Sequence, residues 1–148
     1  MRALVQRVTS AEVSVDSVVC GSINCGILVL LGVRDTDARH DAEWLAHKVA
    51  NLRIFTDDQS TMNHSLKDVG GSVLVVSQFT LYGDTRKGLR PSYIQAARPD
   101  MALPLYEYFV SLLRTEHGLH VQTGVFGAMM DVQLVNSGPV TLLIESPE

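Results

Sequence analysis

SVLVVSQFTLY, residues 72–82, is the stretch that decides the fold. It follows Gly70-Gly71 and is the most strand-like segment of the chain, since β-branched, aliphatic and aromatic residues favour strands. We predict one strand over residues 72–82. Its buried part ends in the polar residues Ser77 and Gln78, just before the Gly-, Arg- and Pro-rich loop of residues 83–99. A loop of this length with little periodicity indicates a functional role.

Outward from this strand, the hydrophobic periodicity predicts further strands and two helices. Alternation with a period of two predicts strands over residues 2–8 and 11–16, and the apolar run of residues 27–31 predicts a strand buried on both faces. Helical spacing predicts a first helix over residues 38–52, capped by Thr36 or Asp37, and a second helix capped by Asp100 and ended by Gly118. Shorter strands are predicted over residues 53–55, 120–123, 130–135 and 140–144. The expected fold class is α+β, with residues 1–148 forming a single domain. Its sheet is mixed or antiparallel and barrel-like, with two helices packed on it.

Composition and charge limit the classes of protein to which this chain can belong. Hydrophobic residues make up 46% of the 148 residues and charged residues 19%, which is typical of a folded domain. No apolar run approaches the roughly 20 residues of a membrane span, and the first residues lack the features of a signal peptide. We therefore expect a cytoplasmic protein with no membrane partner. The net charge of −4 argues against nonspecific coating of nucleic acids.

A local nucleic-acid contact is still compatible with this charge. Four cationic residues fall in one stretch of the long loop: Arg86, Lys87, Arg90 and Arg98. The stretch is either a solvated loop or a surface that grips the end of an RNA.

Cysteines and histidines give no metal-site pattern. Cys20 and Cys25 flank the turn-like residues 21–24, and in a reducing compartment they are best interpreted as small hydrophobic residues beside a hairpin. His117 and His120 straddle Gly118 at a predicted helix end. Because no further Cys or His pair has zinc-site spacing, we expect no metal and no cofactor.

Two polar segments are candidates for the functional site. Ser77-Gln78-Phe79-Thr80 lies where a buried strand ends and its backbone N–H groups become available to a ligand. Asn136-Ser137-Gly138-Pro139 lies between two predicted strands and, taken alone, is typical of a hairpin turn. No GxSxG, Cys–His or P-loop pattern accompanies them.

Together these two segments resemble the signature motifs of the D-aminoacyl-tRNA deacylase family. The similarity extends to residues 2–8, 70–76, 90–93 and 123–128, in the same order and with matching spacing. Two departures are small: Met129-Met130-Asp131 replaces the more usual Asp-Met-Gln, and Ser137 stands where Asp is common.

The resemblance implies a homodimer with each active site at the subunit interface. It implies hydrolysis of the ester of D-aminoacyl-tRNA, and of mischarged glycyl-tRNA, by a site built from Ser77, Gln78, Phe79 and Thr80. The backbone N–H groups around Phe79 and Thr80 are expected to polarise the ester carbonyl. Selectivity is expected from a cis Gly138-Pro139 peptide that enters the partner's pocket and excludes L side chains. Arg7 is expected to anchor that peptide, and Phe126 to line the adenosine pocket.

Several alternatives stay open at the level of sequence. Either the 2′-OH of the terminal adenosine assists the reaction or the Thr80 hydroxyl acts as the nucleophile, although no His or carboxylate is evident to activate it. A sister family with a trans Gly-Pro removes L-alanine from tRNA, and a non-catalytic RNA-binding dimer is a third possibility. The expected partner is the acceptor end of aminoacyl-tRNA, and DNA is not expected as one.

Overall fold

A mixed six-stranded sheet forms the centre of the protein in a computed structural model that describes residues 1–148. Its strands are β1 (Arg2–Val15), β2 (Val18–Ile23), β3 (Gly26–Gly32), β6 (Ser72–Ser77), β7 (His120–Thr123) and β8 (Asp131–Glu145). Two short strands, β4 (Phe55–Thr56) and β5 (Met62–His64), form a separate pair. The helices are α1 (Arg39–Asn51) and α2 (Pro99–Thr115), and residues Phe79–Tyr82 form a 3₁₀ helix.

The sheet curls into a nearly closed barrel. Its order is β2-β1-β3-β6-β7, with β8 paired to β1. β3, β6 and β7 run parallel to one another, whereas β1 is antiparallel to β2, β3 and β8. β2 approaches β7 so closely that a Cβ atom on Gly21 would lie 2.6 Å from the carbonyl oxygen of Thr123. The predicted α+β fold, with a barrel-like mixed sheet and two packed helices, is confirmed.

The central strands β3 and β6 are buried on both faces. Ile27, Val29, Val73 and Val75 pack with both helices in a core cluster of 28 residues, while their neighbours Leu28 and Leu74 belong to a second cluster of seven. Each such side chain contributes about 1.5–3 kcal/mol when it is fully buried. The predicted double burial of residues 27–31 agrees with the structure, although Leu30 is only half-buried. A buried ion pair between the Met1 ammonium and Asp37 (2.7 Å) fastens the start of β1 to the segment before α1.

The predicted strand over residues 72–82 is wrong in its second half. β6 ends at Ser77, and Phe79–Tyr82 form the 3₁₀ helix. The reason is the length of the neighbouring strands, since β3 ends at Gly32 and the β7 pairing stops opposite Val75. Gln78 N–H donates to Leu31 O (2.8 Å), and beyond that bond no strand lies alongside to continue the ladder.

The predicted hairpin at residues 136–139 is also wrong. β8 is one strand of 15 residues that pairs with β1 on both sides of residues 137–140, rather than two strands joined by a turn. The register passes from Thr141 opposite Gln6 to Asn136 opposite Val8, so residues 137–140 form a bulge opposite Arg7. Likewise β1 is one strand rather than two.

Several predicted turns and helix starts also differ from those in the structure. The chain reverses between β1 and β2 at Asp16-Ser17, which have positive φ angles, and not at residues 21–24. Cys20 lies in β2, and both cysteines are exposed rather than packed as small hydrophobic residues. The N-cap residues are Ala38 for α1 and Arg98 for α2, rather than the predicted Thr36 or Asp37 and Asp100. Neither side chain makes a capping hydrogen bond. At α1 the Asp41 carboxylate instead accepts the N–H of Ala38 (2.8 Å). No helix is long and apolar enough to cross a membrane.

Candidate active site

A cavity of about 560 Å³ opens where β6 ends. Five segments surround it: the end of β3 with Val33, the end of β6 with the following 3₁₀ helix, the end of the long loop, the first turns of α2, and residues 126–132. Most lining side chains are apolar, and the small residues Ala96, Ala97 and Ala102 leave the space between β6 and α2 open. An apolar cavity with a few polar groups at one edge is typical of a small-molecule site.

Three of the predicted catalytic residues, Ser77, Gln78 and Phe79, line this cavity, and so does Phe126. Thr80 follows them on the exposed side of the 3₁₀ helix, and its Oγ1 accepts a hydrogen bond from Gln78 Nε2. Phe79 is 56% exposed and meets Tyr93 edge to face, with ring centroids 5.2 Å apart. The structure therefore brings the first sequence motif and Phe126 together at one cavity.

Backbone donors are available at the polar edge of the cavity. The first residues of a 3₁₀ helix have N–H groups without an intrahelical acceptor. In this helix those groups belong to Phe79 and Thr80, because Leu81 N–H already donates to Gln78 O (3.3 Å). Two adjacent N–H groups beside a cavity are suited to binding a carbonyl oxygen that gains negative charge.

No lining side chain is suited to act as a general base. The lining residues include no His, Asp, Glu, Lys or Cys, and their only titratable members are Tyr93 and Tyr106. Burial raises the pKa of Tyr106 to about 12, so this phenol stays protonated and neutral at physiological pH. Its hydroxyl donates to the carbonyl oxygen of Val75 in β6 (3.0 Å), and its ring packs against Phe126 at 5.6 Å.

We predict that Tyr106→Phe lowers stability but leaves kcat within about threefold of the parent value. The Val75 oxygen loses its phenolic donor but still accepts the N–H of Gly124 (3.2 Å), so the cost is about 0.5–1.5 kcal/mol, while the ring that supports Phe126 is retained. Urea unfolding and initial rates of the ester hydrolysis that the resemblance implies measure the two quantities. A large loss of kcat without a loss of stability would instead make the hydroxyl part of the chemistry.

The second sequence motif does not line the cavity and forms a separate group around Arg7. Arg7 Nε donates to Ser137 O (3.2 Å), its NH2 nitrogen to Gly138 O (3.4 Å), and its NH1 nitrogen to Ile54 O (2.6 Å). Asn136 Nδ2 closes the base of the bulge through Arg7 O (2.9 Å) and Val140 O (3.0 Å). The Gly138–Pro139 peptide bond is cis, the isomer that the resemblance implies. The expected contact of Arg7 with this peptide is thus present.

The two motifs do not meet within one chain. Val132 lines the cavity, and Gly138 lies six positions further along β8. At about 3.3 Å per residue, that is a distance of about 20 Å along the strand. Gly138 and Pro139 are both exposed.

Sequence reasoning missed several cavity residues. Tyr93, Tyr106 and Met130 lie in segments that were noted for family similarity, helical periodicity or departure from the family pattern, and none was predicted to line the site. The small side chains at 96, 97 and 102 have no periodic signal at all. No group of three or more His, Cys, Asp or Glu side chains is arranged to hold a metal ion.

A family model and two relatives with known names indicate the same protein family. The model of the family described as D-Tyr-tRNA(Tyr) deacylase matches residues 4–145. A D-aminoacyl-tRNA deacylase of Thermus aquaticus is 60% identical over 148 residues, which is all of this chain and 97% of the relative. One of Bacillus pumilus is also 60% identical, over the whole of both chains.

Solved structures have the same fold. A structure described as the c-Myc DNA Unwinding Element Binding Protein superposes with a TM-score of 0.93 at 38% identity, covering all of both chains. A probable eukaryotic D-amino acid tRNA deacylase superposes with a TM-score of 0.79 at 21% identity, over 97% of this chain and 98% of the other. The family model and the 60% identical relatives each cover almost the whole chain, and from them we conclude that this protein belongs to the D-Tyr-tRNA(Tyr) deacylase family.

Proposed function

We propose that this protein hydrolyses the ester bond of D-aminoacyl-tRNA and releases free tRNA and a D-amino acid. The observation that carries the proposal is the apolar cavity lined by Phe79, whose backbone N–H group and that of the adjacent Thr80 have no acceptor within the 3₁₀ helix. The names of the relatives, which are D-aminoacyl-tRNA deacylases, supply the substrate class. An apolar cavity suits the adenine of the terminal nucleotide, with Phe126 as one wall, and the N–H pair suits the ester carbonyl.

The chemistry in this proposal rests on the backbone and on the substrate. Water adds to the ester carbonyl carbon, and the negative charge on the carbonyl oxygen is stabilised by the two N–H groups. The C–O bond to the ribose then breaks, and the ribose oxygen receives the proton that the water gives up, with the neighbouring 2′-OH as the relay. The Thr80 hydroxyl is a poor nucleophile because its hydrogen-bonding neighbour is the Gln78 carboxamide, which is not a base.

Chiral selection, in this proposal, comes from a second copy of the chain. Gly138-Pro139 lies about 20 Å along β8 from the chain's own cavity, so only a partner's bulge is able to reach that cavity. There the carbonyl oxygens of the bulge would occupy the space that an L side chain needs, while a D side chain would point away. Selection by exclusion allows many D-amino acids to be accepted. It also admits glycyl-tRNA, because glycine has no side chain to exclude.

Three features of the chain support a homodimer with such shared sites. A Cβ atom on Gly138 would meet only Asn136 Oδ1, at 3.8 Å, so packing within the chain does not require a glycine there. β8 pairs only with β1, which leaves its other edge free. Its apolar residues Val135 and Leu143 are more than half exposed, a cost that a partner surface would remove.

RNA rather than DNA is the partner that this chemistry needs. A DNA 3′ end has no 2′-OH to relay a proton and carries no aminoacyl ester. The absence of a DNA partner stays a prediction.

Hydrolysis of matched substrates tests the function. Purified protein is incubated with D-Tyr-tRNA, L-Tyr-tRNA and L-Ala-tRNA, and its mass is measured by light scattering under the same conditions. We expect rapid release of D-tyrosine only, from a dimer. Preferential release of L-alanine would identify the trans Gly-Pro activity instead. Binding of tRNA without hydrolysis of any ester would identify a non-catalytic RNA-binding protein, and a fully active monomer would exclude the shared site.

Removing the Arg7 anchor is predicted to reduce chiral selectivity. In Arg7→Ala the bulge loses the hydrogen bonds to Ser137 O and Gly138 O, each worth about 1.5–3 kcal/mol for a charged donor. We expect the ratio of D-Tyr-tRNA to L-Tyr-tRNA hydrolysis to fall about tenfold or more. Arg7→Lys is the matched control, because a single ammonium keeps the charge but lacks the planar fork that contacts several carbonyls, so an intermediate ratio is expected. Variants that lose rate but keep the parent ratio would show that chirality is read elsewhere.

A further inference from the structure

The segment from Asp84 to Arg98, here called the basic loop, forms one wall of the cavity and carries most of the chain's free cations. Tyr93, Ala96 and Ala97 of this loop line the cavity, and Pro99 follows directly. Lys87 and Arg90 are exposed and make no ion pair or hydrogen bond. Arg98 has only a 3.8 Å contact with Asp100, between two largely exposed side chains, which contributes little.

Apart from Lys67, the other cationic side chains of the protein all have an interaction partner. The remaining arginines and one of the three lysines contact a carboxylate, a backbone carbonyl, an amide or an aromatic ring: Arg2, Arg7, Arg34, Arg39, Lys48, Arg53, Arg86 and Arg114. Of the twelve cationic side chains, only Lys67 is free outside the basic loop. A chain of net charge −4 thus carries three of its four free cations on the loop that forms one wall of the cavity.

The base of the basic loop is held by an ion pair and a backbone bridge. The Arg86 guanidinium contacts both oxygens of Asp84, with Nε at 2.9 and 3.1 Å and NH2 at 2.6 Å. These hydrogen bonds lower the pKa of Asp84 to about 2, so the carboxylate stays charged and its charge is matched by Arg86. Asp84 and Ser92 also exchange two backbone hydrogen bonds of 2.8 and 2.9 Å. The one acidic group of the loop is therefore neutralised, and the free cations are presented from an ordered base.

We propose that the basic loop binds the phosphates of the RNA strand whose 3′ end enters the cavity. The proposal rests on the proposed function and extends it from the terminal nucleoside to the nucleotides before it. Arg98, which lies between two residues that line the cavity, contacts the phosphate nearest the terminal nucleoside, and Arg90 and Lys87 contact phosphates further out. Such contacts are independent of sequence and depend on salt.

Salt-dependent binding of uncharged tRNA tests the proposal without requiring hydrolysis. The test variant is Lys87→Ala/Arg90→Ala/Arg98→Ala, and Lys67→Ala is the matched control, a free lysine outside the loop. Each single-strand phosphate contact contributes about 0.7 to the slope of log affinity against log salt, so we expect the triple variant to lose about 2 from that slope. Between 50 and 200 mM salt, the parent affinity should then fall about 20-fold more than that of the triple variant.

The outcomes separate the loop proposal from the proposed function. The loop proposal is supported if the triple variant loses slope, Lys67→Ala does not, and the KM for D-Tyr-tRNA rises in the triple variant. It is overturned if the triple variant binds tRNA like the parent at every salt concentration, or if Lys67→Ala changes the slope equally. Failure of the parent to hydrolyse D-Tyr-tRNA would refute the proposed function but not the loop proposal, because the binding of uncharged tRNA is measured without hydrolysis. Thermal unfolding confirms that the exposed substitutions leave the fold intact.

Discussion

Phe79→Pro is expected to hydrolyse D-aminoacyl-tRNA about 100- to 1000-fold more slowly than Phe79→Ala, with the difference in kcat. Both variants lose the aromatic ring, but only the proline variant loses the backbone N–H. If this N–H stabilises the charge that forms on the ester oxygen, its removal acts on the transition state and changes substrate binding much less.

The local backbone is suited to this substitution. Phe79 is the first residue of the 3₁₀ helix, where proline is well tolerated because the N–H has no intrahelical acceptor. The preceding Gln78 has φ −146° and ψ 79°, outside the helical region that proline disfavours for its predecessor. Single-turnover kinetics and thermal unfolding of both variants are the measurements. Equal rates for the two would remove the Phe79 N–H from the mechanism.

Thr80→Ala complements the comparison of Phe79→Pro with Phe79→Ala, because it keeps the N–H of residue 80 and removes only the hydroxyl. We expect it to retain most of the parent activity. An acyl group trapped on Thr80 in the parent enzyme would favour the nucleophile mechanism instead.

Gly26→Ala is expected to destabilise the protein by about 3 kcal/mol or more, because it forces two paired strands apart. A Cβ atom on Gly26 would lie 1.9 Å from the carbonyl oxygen of Ser72 and 2.8 Å from its carbonyl carbon. These are backbone atoms of the paired strand β6, so no side-chain rotation relieves the collision. For a chain of this length the loss corresponds to a fall of roughly 6–12 °C in Tm.

Gly138→Ala is the control for this stability effect. Within the chain its added methyl group has only the 3.8 Å contact with Asn136 Oδ1, so any loss of Tm should be much smaller than that of Gly26→Ala. Differential scanning calorimetry compares the two variants. A similar loss of stability in both would show that the Gly138 bulge carries packing that the single chain does not reveal.

Local sequence patterns were sufficient to predict an element and its buried faces where each face has one environment along its whole length. The apolar run of residues 27–31 predicted a strand buried on both faces, and Ile27, Leu28 and Val29 are almost completely buried. The second helix was predicted from its inner face, and Phe109 and Leu113 are fully buried on that face. In both cases the pattern of apolar residues reports which faces of an element are buried, and this is decided residue by residue.

Sequence patterns gave the wrong conformation where it depends on whether a neighbouring strand is available to pair with the segment. Residues 79–82 have strand propensity, yet they leave the sheet because β3 and β7 end too early to pair with them. Residues 136–139 have turn composition, yet they stay within β8 because β1 is long enough to pair on both sides of the bulge. The hydrogen bonds of Arg7 and Asn136 then satisfy the carbonyl groups that the bulge takes out of the ladder.

Sequence patterns by themselves determined the α+β class, and the resemblance to a family singled out Ser77, Gln78, Phe79 and Phe126, which line one cavity, and the contact between Arg7 and Gly138. Only the tertiary structure decided that the first motif becomes a 3₁₀ helix with free N–H groups, and that Gly138-Pro139 lies far from it along β8. The physical reason is that composition and periodicity describe one segment at a time. Where a strand ends, and how far apart two motifs lie, depends on the lengths and register of strands that are distant in the sequence.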